Sequence, residues 1–328
     1  MCLRHGSYAT LPPPDLEPDP VPSASPLAVS KLTVIETAGF PDYRLVDSGR
    51  GRKLESFGPI MVDRPEPQAL WRPRLEMTRW SAAHAVFSGD GEEETGKWRR
   101  DRPVPDSWPM AVAGVTMQGR LASFRHLGLF PEQLPHWQWM EHAIDRARPR
   151  IGDARPRVLN LFAYTGAASL IAARAGAEVV HVDASKKAVS WARENQAASK
   201  LTDAPIRWIV EDARKFVARE VRRRRTYHIV VVDPPKFGRG PEGEVWELFE
   251  HLPPLLADCA QLLDNRFSAL VLTAYAIRAS ALAIGQLAVD VLGERGGMFD
   301  VGELAIREHE GQRCVPTSLY ARWASHAS

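Results

Sequence analysis

Cysteine is scarce in these 328 residues: Cys2, Cys259 and Cys314 are too few and too far apart for a disulfide framework or a cysteine-ligated metal. No apolar run approaches the roughly 18 residues a membrane span needs, so no membrane partner is expected. The start, Met1-Cys2-Leu3-Arg4-His5-Gly6, lacks the apolar core of a secretory signal, and a cytoplasmic protein is the expectation. Lysine is scarce as well, 8 residues against 34 arginines, a bias that a GC-rich genome produces as readily as a need to bind phosphate. The net charge of +2 announces no polyanion partner by itself, and Arg222-Arg223-Arg224-Arg225 reads as a solvated loop. A G-x-G-x-x-G loop is also missing where a dinucleotide would need it.

With 45% apolar residues the chain can bury a large core and divide into two domains. Residues 1–31, with Pro12, Pro13, Pro14, Pro18, Pro20, Pro22 and Pro26, read as a disordered leader. Residues 32–120 show short alternating runs between Gly and Pro (43–46, 53–57, 60–62, 111–117), which predict a small β-rich domain, a candidate for substrate recognition. Residues 89–96 read as an exposed loop within it. Trp71, Trp80, Trp98 and Trp108 suit its core better than a platform for bases.

Residues 121–328 alternate between strand and helix. Strands are expected at 158–162, 178–183, 206–210, 227–233 and 268–273. Helices are expected at 137–144, 166–175, 185–198, from 213, at 244–263 with a break at Pro253-Pro254, and at 279–292. The fold class is therefore α/β, a mostly parallel twisted sheet with crossover helices, whose ligands bind at the carboxyl ends of the strands.

The run Tyr227-His228-Ile229-Val230-Val231-Val232 fits a strand buried on both faces. It ends at Asp233-Pro234-Pro235-Lys236-Phe237, where two prolines force a stiff, extended exit beside a carboxylate. The first strand ends in Asn160-Leu161-Phe162-Ala163-Tyr164-Thr165-Gly166; Phe162 and Tyr164 stand where a pyrophosphate would require small residues. S-adenosylmethionine, a sulfonium without phosphate, tolerates that loop and needs the one tight turn that Gly166 supplies. The next strands end at Asp183, placed to accept from ribose hydroxyls, and at Glu211-Asp212, where a carboxylate can meet an adenine amino group.

Taken in order, Leu129-Phe130-Pro131-Glu132-Gln133, the 160–166 loop, Val182-Asp183-Ala184-Ser185, Asp212 and Asp233-Pro234-Pro235-Lys236-Phe237 resemble the class I S-adenosylmethionine-dependent methyltransferases. Within these they resemble the large-subunit ribosomal-RNA family of cytosine-C5 and guanine-N7 enzymes, over residues 128–273. The resemblance implies a Rossmann-like domain preceded by a smaller substrate-side domain, with S-adenosylmethionine as cofactor and RNA, specifically ribosomal RNA, as partner. It implies a cofactor site of Phe130, Gln133, Asn160, Phe162, Tyr164, Thr165, Gly166, Asp183, Ala184, Ser185, Asp212, Ala213 and Asp233. Gln133 would lie over the cofactor, Gly166 and its neighbours would hold the methionine part, Asp183 the ribose and Asp212 the adenine edge.

Carbon-5 of a pyrimidine becomes nucleophilic only after a thiolate adds to the ring. The cytosine-C5 relatives carry that cysteine just after the fifth strand, where this chain has Leu272-Thr273-Ala274-Tyr275-Ala276-Ile277. Cys259 and Cys314 read as apolar fillers. The expected chemistry is therefore methylation of a base nitrogen by Asp233, Pro234, Pro235, Lys236 and Phe237, the carboxylate or a neighbouring carbonyl receiving the amine hydrogens. Lys236 separates Phe237 from the Asp-Pro-Pro corner, so Phe237 is expected to pack inward and Lys236 to meet phosphate. A methyltransferase of small molecules or proteins, and a non-catalytic RNA-binding protein with this fold, are the alternatives.

Overall fold

A computed structural model describes residues 31–89, 96–275 and 277–326. The leader, apart from Lys31, and most of the 89–96 loop lie outside the described residues. Among the described residues no helix is long and apolar enough to cross a membrane, and no cluster of side chains could hold a metal ion.

In chain order the strands are β1 (Leu32–Thr37), β2 (Tyr43–Gly49), β3 (Arg52–Phe57), β4 (Ile60–Pro65), β5 (Ala85–Ser88), β6 (Lys97–Arg100), β7 (Trp108–Val112) and β8 (Val115–Gly119). They continue with β9 (Arg157–Leu161), β10 (Glu178–Asp183), β11 (Ile206–Val210), β12 (Ile229–Val232), β13 (Phe237–Arg239), β14 (Val245–Glu247), β15 (Ala269–Tyr275), β16 (Met298–Arg307) and β17 (Cys314–Ala324). The α-helices are α1 (Met77–Trp80), α2 (Leu134–Ile151), α3 (Ala167–Arg174), α4 (Lys186–Ala198), α5 (Ala213–Arg222), α6 (Leu248–Gln261) and α7 (Ala281–Leu292).

An eight-stranded sheet in the order β1-β16-β17-β15-β12-β9-β10-β11 carries the α/β part. From β15 to β11 its strands are parallel, as the alternating pattern requires, and β17 runs antiparallel between β15 and β16. The chain leaves β9 toward β10 and returns beyond it as β12, so the crevice between the β9 and β12 carboxyl ends is the topological switch point. Both faces of this sheet are covered. Val158 and Ile229 share one hydrophobic cluster with α2 and α3, whereas Leu159, Leu161, Val230 and Val232 share another with α5, α6 and α7.

The β-rich part differs from the expected domain at both ends. Its first strand, β1, lies outside the five-stranded sheet β2-β3-β4-β5-β6 and pairs in parallel with β16 at the edge of the large sheet. Gly302 makes that approach possible, because a Cβ there would fall 1.7 Å from the Thr33 carbonyl oxygen. At the other end, the β7–β8 hairpin is fastened to α4. Gln118 N–H donates to Asn195 Oδ1 at 2.8 Å, Thr116 N–H to Ser199 Oγ at 2.9 Å, and Trp191 Nε1 to the Gln118 carbonyl at 3.0 Å. One buried cluster runs from Tyr43, Phe57 and Met110 through Trp137 and Ile144 to Val158 and Leu170, so no core boundary falls at residue 120.

Two sequence expectations are corrected. Residues 244–247 are not helical, since β14 pairs with β13, and α6 then runs unbroken through Pro253 and Pro254. Burial of Leu248, Leu252, Leu255, Leu256 and Cys259 along one face outweighs the two missing backbone donors. Strands β16 and β17 carry Gly302 and Pro316 within their apolar patterns, which masks them in the sequence.

Of the four tryptophans of the β-rich part, two belong to buried cores and two, Trp71 and Trp98, are half-buried against one. Trp80 and Trp108 are buried, and Trp71 and Trp80 direct their indole N–H groups to Ser48 and Asp47.

Candidate active site

Around the switch point lies a cavity of about 410 Å³. Phe130, Gln133, Phe162, Tyr164, Asp183, Ala184, Ser185, Asp212, Ala213 and Asp233 all line it, together with Pro234, Pro235 and Phe237. Of the sequence-derived residues, Asn160, Thr165 and Gly166 do not reach it; they line a cavity of about 50 Å³ behind the 162–166 loop. Lys236 faces a wider cleft of about 710 Å³ on the outer side of the corner, which Arg125, Tyr275 and Arg278 also line.

The 162–166 loop turns by an unusual route. Phe162 and Tyr164 have φ of 54° and 49°, and Gly166, at φ 88°, is the N-cap of α3. Left-handed backbone at two aromatic residues is strained and needs outside support. Asp183 gives it: Oδ2 accepts from Tyr164 N–H at 2.8 Å, while Oδ1 accepts from Ser185 N–H at 2.8 Å where α4 begins. Burial pushes the Asp183 carboxyl up, and those two N–H groups oppose the rise. Asn160 supports the loop from below, donating to Ser169 Oγ at 2.9 Å, and Thr165 Oγ1 donates to the Gly128 carbonyl at 2.6 Å.

Asp212 caps α5, with Oδ1 accepting from the N–H groups of Arg214 and Lys215. Such a cap does not exclude ligand binding, because an ionised carboxylate offers about four acceptor positions. Aromatic rings make the remaining walls. Phe130 lies 5.5 Å from Tyr164 and 6.4 Å from Tyr275, and Phe162 lies 4.8 Å from Trp246.

The Asp233 corner is held from two sides. Gln133 Nε2 donates to Asp233 Oδ2 at 3.1 Å. Beyond the prolines, Trp246 Nε1 donates to the Pro235 carbonyl at 2.7 Å, so that carbonyl is already engaged. Burial, and then the Glu132 carboxyl, push Asp233 up to about 7. Burial also raises Glu132, against the opposing charges of Lys53 and Arg64.

Phe237 does not pack inward. It is 60% exposed, because the β13–β14 ladder turns Trp246 to the buried side and Phe237 to the outer one. Lys236 Nζ lies 5.8 Å from the Phe237 ring centre. Tyr275, Trp246, Phe124 and His126 also line the cavity without having been read from the sequence. Each comes from a segment whose place at the switch point is set by contacts distant in the chain. Cys259 is fully buried and its thiol is pushed up by burial; neither it nor Cys314 lines the cavity or the cleft.

Residues 141–251 match the family model described as conserved hypothetical protein 95. A solved structure, the SAM-dependent methyltransferase from Agrobacterium tumefaciens, is 48% identical with a TM-score of 0.84, covering 90% of this chain and 94% of that one. Ribosomal RNA large subunit methyltransferase K/L of Hahella chejuensis is 30% identical over 174 residues, 52% of this chain and 22% of that protein. Ribosomal RNA large subunit methyltransferase I of Shewanella frigidimarina is 40% identical over 81 residues, 24% of this chain and 20% of that protein. The chain thus spans about a fifth of the length of these curated relatives.

Proposed function

Because the chain belongs to the S-adenosylmethionine-dependent methyltransferases, we propose that it methylates a base nitrogen of RNA, with ribosomal RNA as the substrate. One observation carries this reading: the cavity has the acidic strand ends Asp183 and Asp212 in one wall and the Asp233-Pro234-Pro235 corner in another, and that corner also borders the wider cleft.

The cofactor is S-adenosylmethionine, which supplies an activated methyl group on a sulfonium. The cavity fits it. Carboxylates suit its hydroxyl and amino hydrogens, aromatic walls suit a cation, and the crowded 162–166 loop gives no approach for a pyrophosphate. In this reading Asp183 receives the ribose and Asp212, with Ala213, the adenine. Phe130, Phe162 and Tyr164 enclose the middle of the ligand. The rigid Asp-Pro-Pro corner positions the acceptor, which is where most of the rate enhancement of methyl transfer arises. Asp233, with a pKa near neutrality, accepts a hydrogen bond from the acceptor nitrogen and takes up its proton. Both cysteines that lie among the described residues are outside the site, which favours nitrogen over the covalent route to carbon-5. Lys236 and Arg278 would meet the phosphates of RNA in the cleft, with the β-rich segment forming its other side.

The test is mass-spectrometric mapping of modified nucleosides in ribosomal RNA with and without the gene, followed by methylation of the RNA from the deletion strain by purified protein. Loss of one N-methylated nucleoside and its restoration in vitro are expected. An unchanged nucleoside profile would overturn the RNA assignment, and a missing carbon-5 methyl would overturn the nitrogen assignment.

A further inference from the structure

His136 sits in the first turn of α2 and is 3% exposed, yet neither ring nitrogen has a hydrogen-bond partner among the described residues. Two unpaired polar atoms on one buried side chain call for an explanation. The ring lines the cavity of about 50 Å³ behind the loop, with Tyr320 in edge-on contact at 5.1 Å. At roughly 10–15 Å³ per water-sized group, that space holds about four of them. The other polar side chains around it are engaged: Gln133 with Asp233 and Thr273, Asn160 with Ser169, and Thr165 with Gly128. Of the side chains lining it, His136 is the one whose polar atoms are buried with no hydrogen-bond partner among the described residues.

This small cavity shares Phe130, Gln133, Phe162, Tyr164 and Asp233 with the 410 Å³ cavity but touches neither Asp183 nor Asp212. If the adenosine lies at those two carboxylates and the sulfonium beside Asp233, only the amino-acid end of the cofactor extends past Asp233 into it. We propose that His136 binds this amino-acid end, its imidazole accepting from the ammonium and donating to the carboxylate. Burial, and then the Arg322 charge, hold its pKa at about 3, so the ring stays neutral and presents one donor and one acceptor. The first turn of an 18-residue helix adds a partial positive charge on the carboxylate side.

The inference rests on the cofactor reading, and the experiment separates the two. Binding of S-adenosylhomocysteine and of 5′-methylthioadenosine, which lacks the amino-acid end, is measured by calorimetry for the wild type and His136→Phe. Phe keeps the ring packing on Tyr320, and its melting temperature without ligand reports whether the fold is intact. The expected result is a loss of about ten- to a hundredfold in S-adenosylhomocysteine affinity, with methylthioadenosine unchanged. His136→Gln, which keeps a donor and an acceptor, should recover part of the loss. Equal weakening of both ligands, or no weakening of either, would overturn the proposal and leave His136 a packing residue. Wild type that binds neither ligand would instead overturn the cofactor reading.

Discussion

Gln133 and Asp233, 100 residues apart in sequence, meet at 3.1 Å through Gln133 Nε2 and Asp233 Oδ2, while Gln133 Oε1 accepts from Thr273 Oγ1 at 3.4 Å. The glutamine thus couples the segment before α2 to the ends of two central strands. It also donates to the ionised form of Asp233, which holds that carboxyl lower than burial alone would. If the carboxylate is the working form, kcat/KM should rise with pH around an apparent pKa of about 7. Gln133→Leu should move that midpoint upward and lower the rate at neutral pH by about tenfold. A pH–rate profile that is flat from pH 6 to 8 would remove Asp233 from the proton-accepting role.

The same shift makes a stability prediction of definite sign. Asp233 has a folded pKa of about 7 against an ordinary 3.8. Below 3.8 both states are protonated and the group costs nothing; above 7 both are ionised and the full cost of a half-buried charge is present. Stability therefore falls as pH rises between these values. Asp233→Asn should be more stable than wild type at pH 8, on the order of 1–3 kcal/mol after allowance for solvent around a half-buried group, with the difference gone by about pH 3. Urea unfolding of the ligand-free proteins at the two pH values measures this. Methylation activity should be lost at both.

Much of this site is legible because its parts are local. The buried strands β10 and β12 read as apolar-rich runs, and a carboxylate at or just past the end of a strand, as at Asp183, Asp212 and Asp233, is visible in a few consecutive residues. What the sequence hides depends on partners far along the chain. Gly302 is intelligible only when β1 lies against it, and the exposure of Phe237 follows from the hairpin it forms with residues 245–247. The orphaned nitrogens of His136 become visible only when the cavity wall is assembled.

Trp246 tests whether the corner must be rigid. Its indole N–H holds the Pro235 carbonyl at 2.7 Å, while its ring packs on Phe162. Trp246→Phe keeps most of the packing and drops the bond, at a cost of about 1 kcal/mol in stability. The expected kinetic signature is a kcat reduced about tenfold or more, with cofactor affinity within twofold of wild type. A loss of cofactor affinity equal to the loss of rate would assign Trp246 to the cavity wall alone.

In the β-rich part, Glu55 accepts from Arg64 Nε and Nη2 at 2.7 and 2.9 Å and from Tyr43 Oη at 2.8 Å, all three side chains being buried. Burial alone would push the Glu55 carboxyl up, but the Arg64 guanidinium and the Lys53 ammonium hold it below its ordinary value of 4.5. Its contribution is therefore present above pH 4.5 and disappears as pH falls through the lower, folded value. Glu55→Gln leaves Arg64 buried without its counter-charge and should cost about 3–5 kcal/mol at pH 7. The difference from wild type should shrink in acid, as denaturant titrations at pH 7 and pH 3 can establish.

Phe237 offers the sharpest separation of substrate binding from everything else. The ring is 60% exposed, with the Lys236 ammonium 5.8 Å from its centre, and it borders both the 410 Å³ cavity and the wider cleft. A large exposed ring does little for stability, so Phe237→Ala should change the unfolding free energy by less than about 0.5 kcal/mol. If the ring stacks on a base, the loss is about 1–3 kcal/mol of RNA binding, or roughly five- to a hundredfold in KM. Affinity for S-adenosylhomocysteine should stay within twofold. Lys236→Gln should instead weaken RNA binding modestly and reduce its salt dependence by about one counterion, because a phosphate contact carries charge and a stacked ring carries none. A Phe237→Ala protein with unchanged KM for RNA would place the acceptor base elsewhere in the cavity, against the rings of Phe130 and Tyr275.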